Sequence, residues 1–445
     1  MESISQFIIS FSDWLWGGFL IVILMVTHVF LTLRLGFIQR HLLKGIRLTI
    51  SKEKKEKGDI SPFSALMTAL AATIGTGNIV GVATAVALGG PGAVLWMWFT
   101  GVFGIATKYA ESLLSVHFRI KNADGSFSGG PMYVIERGLH CKWLAAIFSL
   151  LVIISSFGIG ASVQSNSFSA ALQESIGSES AAFTWITATV LTLVVGVIIL
   201  NGLKGVSRIC KALVPLMGFL YVVGCIVLLV LNYQTLPSTL RLIITSAFDP
   251  EAAGGGFVGL SIVYVARYGV ARGLFSNESG MGSAPIIAAS AQTNNPVRQA
   301  LVSATGTFWD TVVICALTGL VIVNSGQYAD SSLQGMQITK AAFRQIPFLG
   351  DQFICIALIT FSFSTLLGWY IYAEKSAQYL FGNKSILPYR ICFLLSVFAG
   401  CIMSINVVWS LGDIFNGLMA IPNLISLLVL SPLIVKLTKK YIRKC

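Results

Sequence analysis

Charged side chains are scarce in this chain: they make up 11% of its 445 residues, against 55% that are hydrophobic. A soluble domain carries about 25% charged residues, so the composition excludes a protein surrounded by water on all sides. The charge present is lopsided, with 30 Lys and Arg against 18 Asp and Glu. His28, His41, His117 and His140 are the only histidines. They are scattered, no HExxH pair occurs and no Gly-x-Ser-x-Gly elbow is present, which removes the common metallohydrolase and serine-hydrolase signatures. The eight cysteines include no CxxC pair and fall in apolar runs or beside basic loops, so neither a disulfide framework nor a zinc site is indicated. Gly75, Gly77 and Gly81 lack the spacing of a dinucleotide fingerprint and lie in no βαβ unit. No basic stretch interleaved with aromatics offers a nucleic-acid surface, and no repeated loop offers a channel filter.

What is present is apolar sequence in runs of roughly twenty residues, the length that crosses a bilayer as a helix. About eleven runs are legible: 12–36, 62–88, 93–116, 143–173, 183–200, 210–231, 256–290 (long and broken), 296–324, 351–380, 386–405 and 408–436. The expected fold class is an all-α polytopic membrane protein. Its orientation follows from Lys and Arg, because cationic loops stay cytoplasmic. Placing the loop with Arg40, Lys44, Arg47, Lys52, Lys54, Lys55 and Lys57 inside also places Arg119, Lys204, Lys211, Arg298 and the tail from Lys436 to Lys444 inside. Only Arg241, Lys340 and Arg344 fall outside. The expectation is a multi-pass protein of the plasma (inner) membrane, N-terminus outside and C-terminus cytoplasmic. No cationic start or small-residue cleavage site marks a signal peptide, so the first span is expected to stay attached.

Counting spans exposes a repeat. If the first is peripheral, the other ten form two sets of five, and an odd number per set gives the halves opposite topology. The expected organisation is a peripheral helix and basic cytoplasmic loop at 1–61, a first five-helix repeat at 62–231, an extracellular linker at 232–255, an inverted second repeat at 256–436 and a basic cytoplasmic tail at 437–445. The first span of each set is interrupted. Gly75-Thr76-Gly77-Asn78 breaks the first where it reaches mid-bilayer, and the second is expected to break at Gly269 to Gly273, before Ser276-Asn277-Glu278-Ser279-Gly280. Inside lipid, freed backbone groups persist only where protein, water, ion or substrate satisfies them, and paired breaks mark the binding site of a secondary transporter. Glycines that serve only close helix packing are the plainer reading. Packing alone, however, does not call for Asn, Thr and Ser at the same places.

At this point the chain resembles a known family, the alanine or glycine:cation symporters, which are similar in fold to the LeuT-type amino-acid transporters. The resemblance rests on Ala71-Ala-Thr-Ile-Gly-Thr-Gly-Asn-Ile-Val-Gly81, Gly89-Gly-Pro-Gly92 with Trp96 and Trp98, and Lys108-Tyr-Ala-Glu111. It continues through Gly129-Gly-Pro-Met-Tyr133 with Glu136-Arg-Gly138 and Gly273-Leu-Phe-Ser-Asn-Glu-Ser-Gly-Met-Gly-Ser-Ala-Pro285. It implies a five-plus-five inverted repeat with one extra N-terminal helix and sodium-coupled uptake of alanine or glycine. Composition and periodicity alone reach only as far as a secondary transporter.

A zwitterionic amino acid needs donors for its carboxylate and acceptors for its ammonium. The second half-helix starts near Asn78, so free N–H groups and the positive dipole end make Thr76, Gly77 and Asn78 the carboxylate candidates. Ahead of the break, the carbonyls of Ala71, Ala72 and Ile74 lose helical partners and can coordinate a hard cation, while the second break, with Gly269 and Gly273, offers carbonyls to the ammonium. The resemblance implies that Ser364 and Thr365 complete a sodium shell and that Gln164 contacts substrate. Thr365 is also expected beside the substrate, and Trp369, four residues on and on the same helical face, walls its side-chain pocket. Hydroxyl back-bonds and plain core packing are the competing readings. Glu278 is expected as an intracellular gate or an ion pair with an arginine such as Arg272, and Lys108 is expected to pair with Glu111. Asp310 and Asp413, also at membrane depth, are not placed, but Asp310, like Glu278, is where the coupling would move if protons drive transport.

The function expected is secondary active transport, sodium-coupled symport of alanine or glycine by alternating access. Its partners are the small neutral amino acid, the sodium ion and the lipid bilayer. No cofactor, no metal other than sodium and no enzymatic activity are expected, and oligomeric state has no sequence signature. No carboxylate lies in the first broken span, so a cation there relies on neutral oxygens, which favours sodium over a proton. A proton-coupled transporter of the same fold is the alternative, with a channel or a membrane-embedded enzyme behind it.

Overall fold

The computed structural model describes the chain except for residues 1, 52–56, 179, 250, 252–260, 348, 404–405 and 443–445. Lys52, Lys54 and Lys55 of the basic loop, the start of the expected seventh span, part of the 232–255 linker and Arg443 and Lys444 of the tail therefore lie outside the described residues. Helix dominates. The one sheet among the described residues is a two-stranded antiparallel hairpin that pairs Ile120–Lys121 with Phe127–Ser128.

Among the described residues, eight helices are long and apolar enough to cross a membrane, and the pair Pro62–Thr73 and Thr76–Gly89, bent by 62°, makes a ninth. The other two expected spans are also helical but do not pass that test. Ile262–Asn277 has only 16 residues, and Ala93–His117 buries Thr107, Lys108, Glu111, Ser112 and Ser115 within its second half. Both pack against protein instead of lipid: Ala93–His117 lies between Ile262–Asn277 and Pro296–Thr307. Enclosure removes the need for an apolar lipid-facing stripe.

Burial separates the lipid-facing helices from the core. Of the most apolar eighteen residues of each helix, 28% are buried in Ala181–Leu200 and 33% in Gly202–Leu231, against 78% in Gly350–Phe381. That central helix packs against Pro62–Thr73, Lys142–Ser155 and Gln164–Ile176. It is the wall against which the broken span rests.

The first break follows from local chemistry. Ser61 caps the half-helix by accepting from the Ser64 N–H at 3.1 Å, with Pro62 in the first turn. The helix ends at Thr73 because Ile74 (φ −77°, ψ 93°) and Gly75 (φ −142°, ψ −155°) are extended, and a single tight turn at Thr76–Asn78 leads into Val80–Gly89.

The second break is not where the sequence placed it. Ile262–Asn277 runs unbroken through Gly269 and Gly273, and the chain leaves helical geometry only at Glu278, whose φ is +52°. The reason is steric. A Cβ at Gly269 would sit 2.9 Å from Trp96 Cβ and one at Gly273 3.1 Å from Met97 Cγ. These glycines let the helix lie close on Ala93–His117, the packing role that small residues take in membranes.

Candidate functional site

Two oxygen clusters meet at the first break. On one side, the hydroxyls of Ser364 and Thr365 donate to Phe361 O at 2.9 Å and face Ile74 O at 3.5 and 3.4 Å. Those longer separations are poor for hydrogen bonds. With their protons directed at Phe361, the hydroxyl lone pairs and the Ile74 carbonyl form a set of neutral oxygens from two elements, suited to a hard cation. The approach depends on Gly368, one turn further along, where a Cβ would lie 2.6 Å from Ala72 N. Ala71 and Ala72 are buried in the last turn of the same half-helix.

On the other side, the Asp310 carboxylate is fully buried and accepts three side-chain hydrogen bonds: Asn78 Nδ2 at 2.8 Å, Ser276 Oγ at 2.9 Å and Thr311 Oγ1 at 2.7 Å. Among the described residues no cation pairs with it. A buried carboxylate without a cationic partner is expensive unless well hydrogen-bonded; Asn78 and Ser276 come from the two expected broken spans, and Thr311 is its neighbour on its own helix. Asn78 is thereby committed. Its Oδ1 caps the Gly75 N–H at 2.9 Å while its Nδ2 holds Asp310.

Between the clusters lies a cavity of about 20 Å³ lined by residues including Gly75, Thr76, Gly77, Gln164, Thr365 and Trp369. The Gln164 amide donates to Ile159 O at 3.2 Å and, at 3.4 Å, to Thr76 Oγ1, leaving its buried Oε1 without a partner among the described residues. Asn416 Oδ1, in another lining residue, is also buried and has no partner among the described residues. Trp369 is 1% exposed, and Gly160, where a Cβ would come 2.6 Å from Trp369 Cβ, lets the neighbouring helix pass it. Gly160 belongs to a π-helical stretch, Ser156–Val163, and Asp310 to another, Phe308–Cys315. Such bulges turn side chains out of helical register and often mark functional sites.

The model of the sodium:alanine symporter family matches residues 1–445. The chain belongs to that family. A sodium/alanine symporter, AgcS of Methanococcus maripaludis, is 45% identical over 97% of this chain and 95% of its own length. An uncharacterized transporter of Haemophilus influenzae is 47% identical, covering 100% of this chain and 97% of its own. The crystal structure of MhsT in complex with L-phenylalanine matches with a TM-score of 0.58 at 15% identity, covering 86% of this chain and 98% of that one. That likeness shows a LeuT-type fold. As a family member the chain is a cation-coupled amino-acid symporter, a multi-pass membrane protein and not an enzyme.

Measured against the sequence, the structure brings Thr76, Gly77, Gln164, Thr365 and Trp369 to one cavity and Ile74, Ser364 and Thr365 to one oxygen cluster. Asn78 stands at the break, but its side chain is turned to Asp310. Gly269 and Gly273 lie in unbroken helix, where their carbonyls are not released to a ligand. Arg272 and Glu278 do not pair. Arg272 lines an 80 Å³ vestibule with Asp13, Arg267 and Asp413, whereas Glu278 lines the central cavity and its carboxylate accepts from Ser283 Oγ. They sit on opposite sides of the Phe275 ring's helical turn, and Phe275 lines both spaces. Lys108 does approach Glu111, at 4.0 Å, and also donates to Glu278 O at 3.0 Å.

Three residues do more in the structure than the sequence assigns them. Asp310 carried a signal, a carboxylate at membrane depth. Asn423 carried none: its amide donates to Glu111 Oε1 at 2.6 Å and to Gly280 O at 2.9 Å, tying the second break to the Ala93–His117 helix. Arg119 is marked in the sequence only as a topological charge. Its guanidinium donates to Ala289 O, Ala291 O, Thr293 O and Lys57 O at 2.6–3.1 Å, stapling the entry to the first half-helix onto the segment after the second break.

Proposed function

We propose that this protein imports a small neutral amino acid, alanine or glycine, together with sodium, by alternating access. The observation that carries the reading is the convergence at one helix break of a neutral oxygen cluster, a small polar cavity and a buried carboxylate. Sodium would be held by Ile74 O, Ser364 and Thr365, with the Ala71 and Ala72 carbonyls adjacent. The substrate carboxylate would meet the N–H groups at Thr76 and Gly77 and the Gln164 amide, and Asp310 would offset the positive charge of ammonium or cation. AgcS, whose name specifies sodium and alanine, supports the choice of ligands.

Size follows from the walls. A 20 Å³ cavity has room for about one or two water molecules, so even alanine binds only if its walls part, and Trp369 limits how far. Phe275 closes the cavity toward the vestibule. On the basic side, the Lys108, Glu111 and Asn423 network and the Arg119 staple close it. A site closed on both sides must release one closure at a time, which is alternating access. The inverted repeat at 62–231 and 256–436 would supply the two moving parts, and the basic face would be cytoplasmic, at the plasma membrane, with the N-terminus outside. Lys44 Nζ, which donates to Ile442 O at 3.1 Å, puts the first basic segment and the tail on one face.

Proton coupling is the second reading, because Glu111 and Glu278 are both buried around a single lysine. Uptake of labelled alanine and glycine into proteoliposomes, under an inward gradient of sodium, of protons or of neither, separates the readings. Accumulation driven only by sodium supports the proposal. Accumulation driven only by protons moves coupling to those carboxylates, and no accumulation by a correctly inserted protein overturns both.

A further inference from the structure

Two apolar grooves open on the surface outside the central cavity. The larger, 450 Å³, is walled by segments 168–194 and 359–363, which contain no Lys or Arg. The other, 370 Å³, has a different setting. One wall is the first half-helix, from Phe63 to Ile74; the opposite wall is Gly202–Leu231, through Val214 and Gly218; Ile46 and Ile50 of the short helix Leu42–Ile50 border its mouth.

Its depth is that of one leaflet. Phe63 and Ile74 are separated by about 16 Å of helix rise, close to half of a hydrocarbon core about 30 Å thick. Two cations adjoin its lining residues along the helices that bound the mouth. Lys211 precedes Val214 by three residues and Gly218 by seven, hence lies on the groove face, about one turn nearer the basic side. Arg47 follows Ile46 in the sequence and flanks the face of the short helix that carries Ile46 and Ile50. Both side chains are exposed, and neither forms an ion pair with a described residue. An apolar slot one leaflet deep with two free cations at the headgroup level is complementary to a lipid of negative charge.

We propose that this groove is a phospholipid site: one acyl chain lies between the first half-helix and Gly202–Leu231, and the anionic headgroup is bound by Arg47 and Lys211. The chain tip reaches Ile74, whose carbonyl faces Ser364 and Thr365, so a bound lipid braces the half-helix that carries the cation cluster.

The test is native mass spectrometry of the full-length protein released from nanodiscs of phosphatidylglycerol and phosphatidylcholine. The expected result is one retained phosphatidylglycerol, preferred by about tenfold to thirtyfold, as two juxtamembrane cations provide. The double variant Arg47→Gln with Lys211→Gln should erase the preference while leaving phosphatidylcholine retention unchanged. Gly218→Leu should expel both lipids, because no atom lies within 4 Å of the position its Cβ would take and the new side chain fills the groove without displacing the helix. Equal retention of the two lipids by the parent overturns the proposal, as does a preference that survives the double variant. A dimer that buries the groove, or retention indifferent to Gly218→Leu, also overturns it.

Discussion

Replacing Gly368 with alanine tests the cation cluster without touching any of its oxygens. A Cβ at this position would lie 2.6 Å from Ala72 N and Cβ and 2.8 Å from Ala72 Cα, where ordinary contact begins at 3.4 Å. The helix Gly350–Phe381 must therefore retreat by about 0.8 Å, the difference of those limits. Ala72 cannot rotate clear, because the clash includes its backbone nitrogen. Ser364 and Thr365 lie one turn away, and a retreat of that size carries their oxygens to about 4 Å from Ile74 O, from 3.5 and 3.4 Å. Overpacking of this kind costs about 1–3 kcal/mol. If the cost falls on the sodium-bound arrangement, which needs the closest approach, sodium affinity drops about fivefold to 150-fold, and linkage lowers amino-acid affinity in turn. Helix propensity works the other way, since alanine is favoured over glycine by about 1 kcal/mol. The assay is a sodium titration of labelled alanine uptake in proteoliposomes, with Gly196→Ala as control because its Cβ meets nothing closer than Leu394 Cδ1 at 3.6 Å. An inserted, monodisperse Gly368→Ala protein whose half-saturating sodium matches the parent's would refute the assignment of this wall to the cation.

Thr365→Ala should raise the half-saturating sodium concentration, and an unchanged sodium dependence would remove its hydroxyl from the shell. Asp310→Asn keeps the shape but removes the charge, and uptake should be lost at every sodium concentration with insertion intact; full uptake would show that the charge is dispensable. Asp310→Ala should in addition destabilise the protein by about 1–3 kcal/mol for each donor left unsatisfied, read as a fall in thermal unfolding temperature. Arg119→Ala frees four backbone carbonyls, so hydrogen–deuterium exchange should rise at 57–60 and 289–293; unchanged exchange counts against the staple. Trp369→Ala should let larger amino acids compete with alanine for uptake, and an unaltered competition profile would deny the indole its place in the pocket wall.

Much of the fold and part of the site were legible because the information is local. A bilayer demands runs of about twenty apolar residues, so the spans could be read directly from hydropathy. The first break was visible because Gly75-Thr76-Gly77-Asn78 interrupts its own helix. Thr76 follows from the break itself and Trp369 from its spacing to Thr365, while Gln164, Ser364 and Thr365 rest on the family resemblance. Other features depend on what stands opposite in space, which no window of sequence contains. Gly269 and Gly273 have the same local appearance as Gly75 and Gly77, yet Trp96 and Met97 across from them make them packing residues, and the second break falls instead at Glu278. Asn78 looked like a substrate donor until folding brought Asp310, far along the chain, within 2.8 Å of it. Arg272 and Glu278 are close in sequence, but one faces the vestibule with Asp413 and the other the central cavity. Local pattern decided which segments are helical and where one of them must break; the contacts between distant segments decided which freed groups remain open to a ligand.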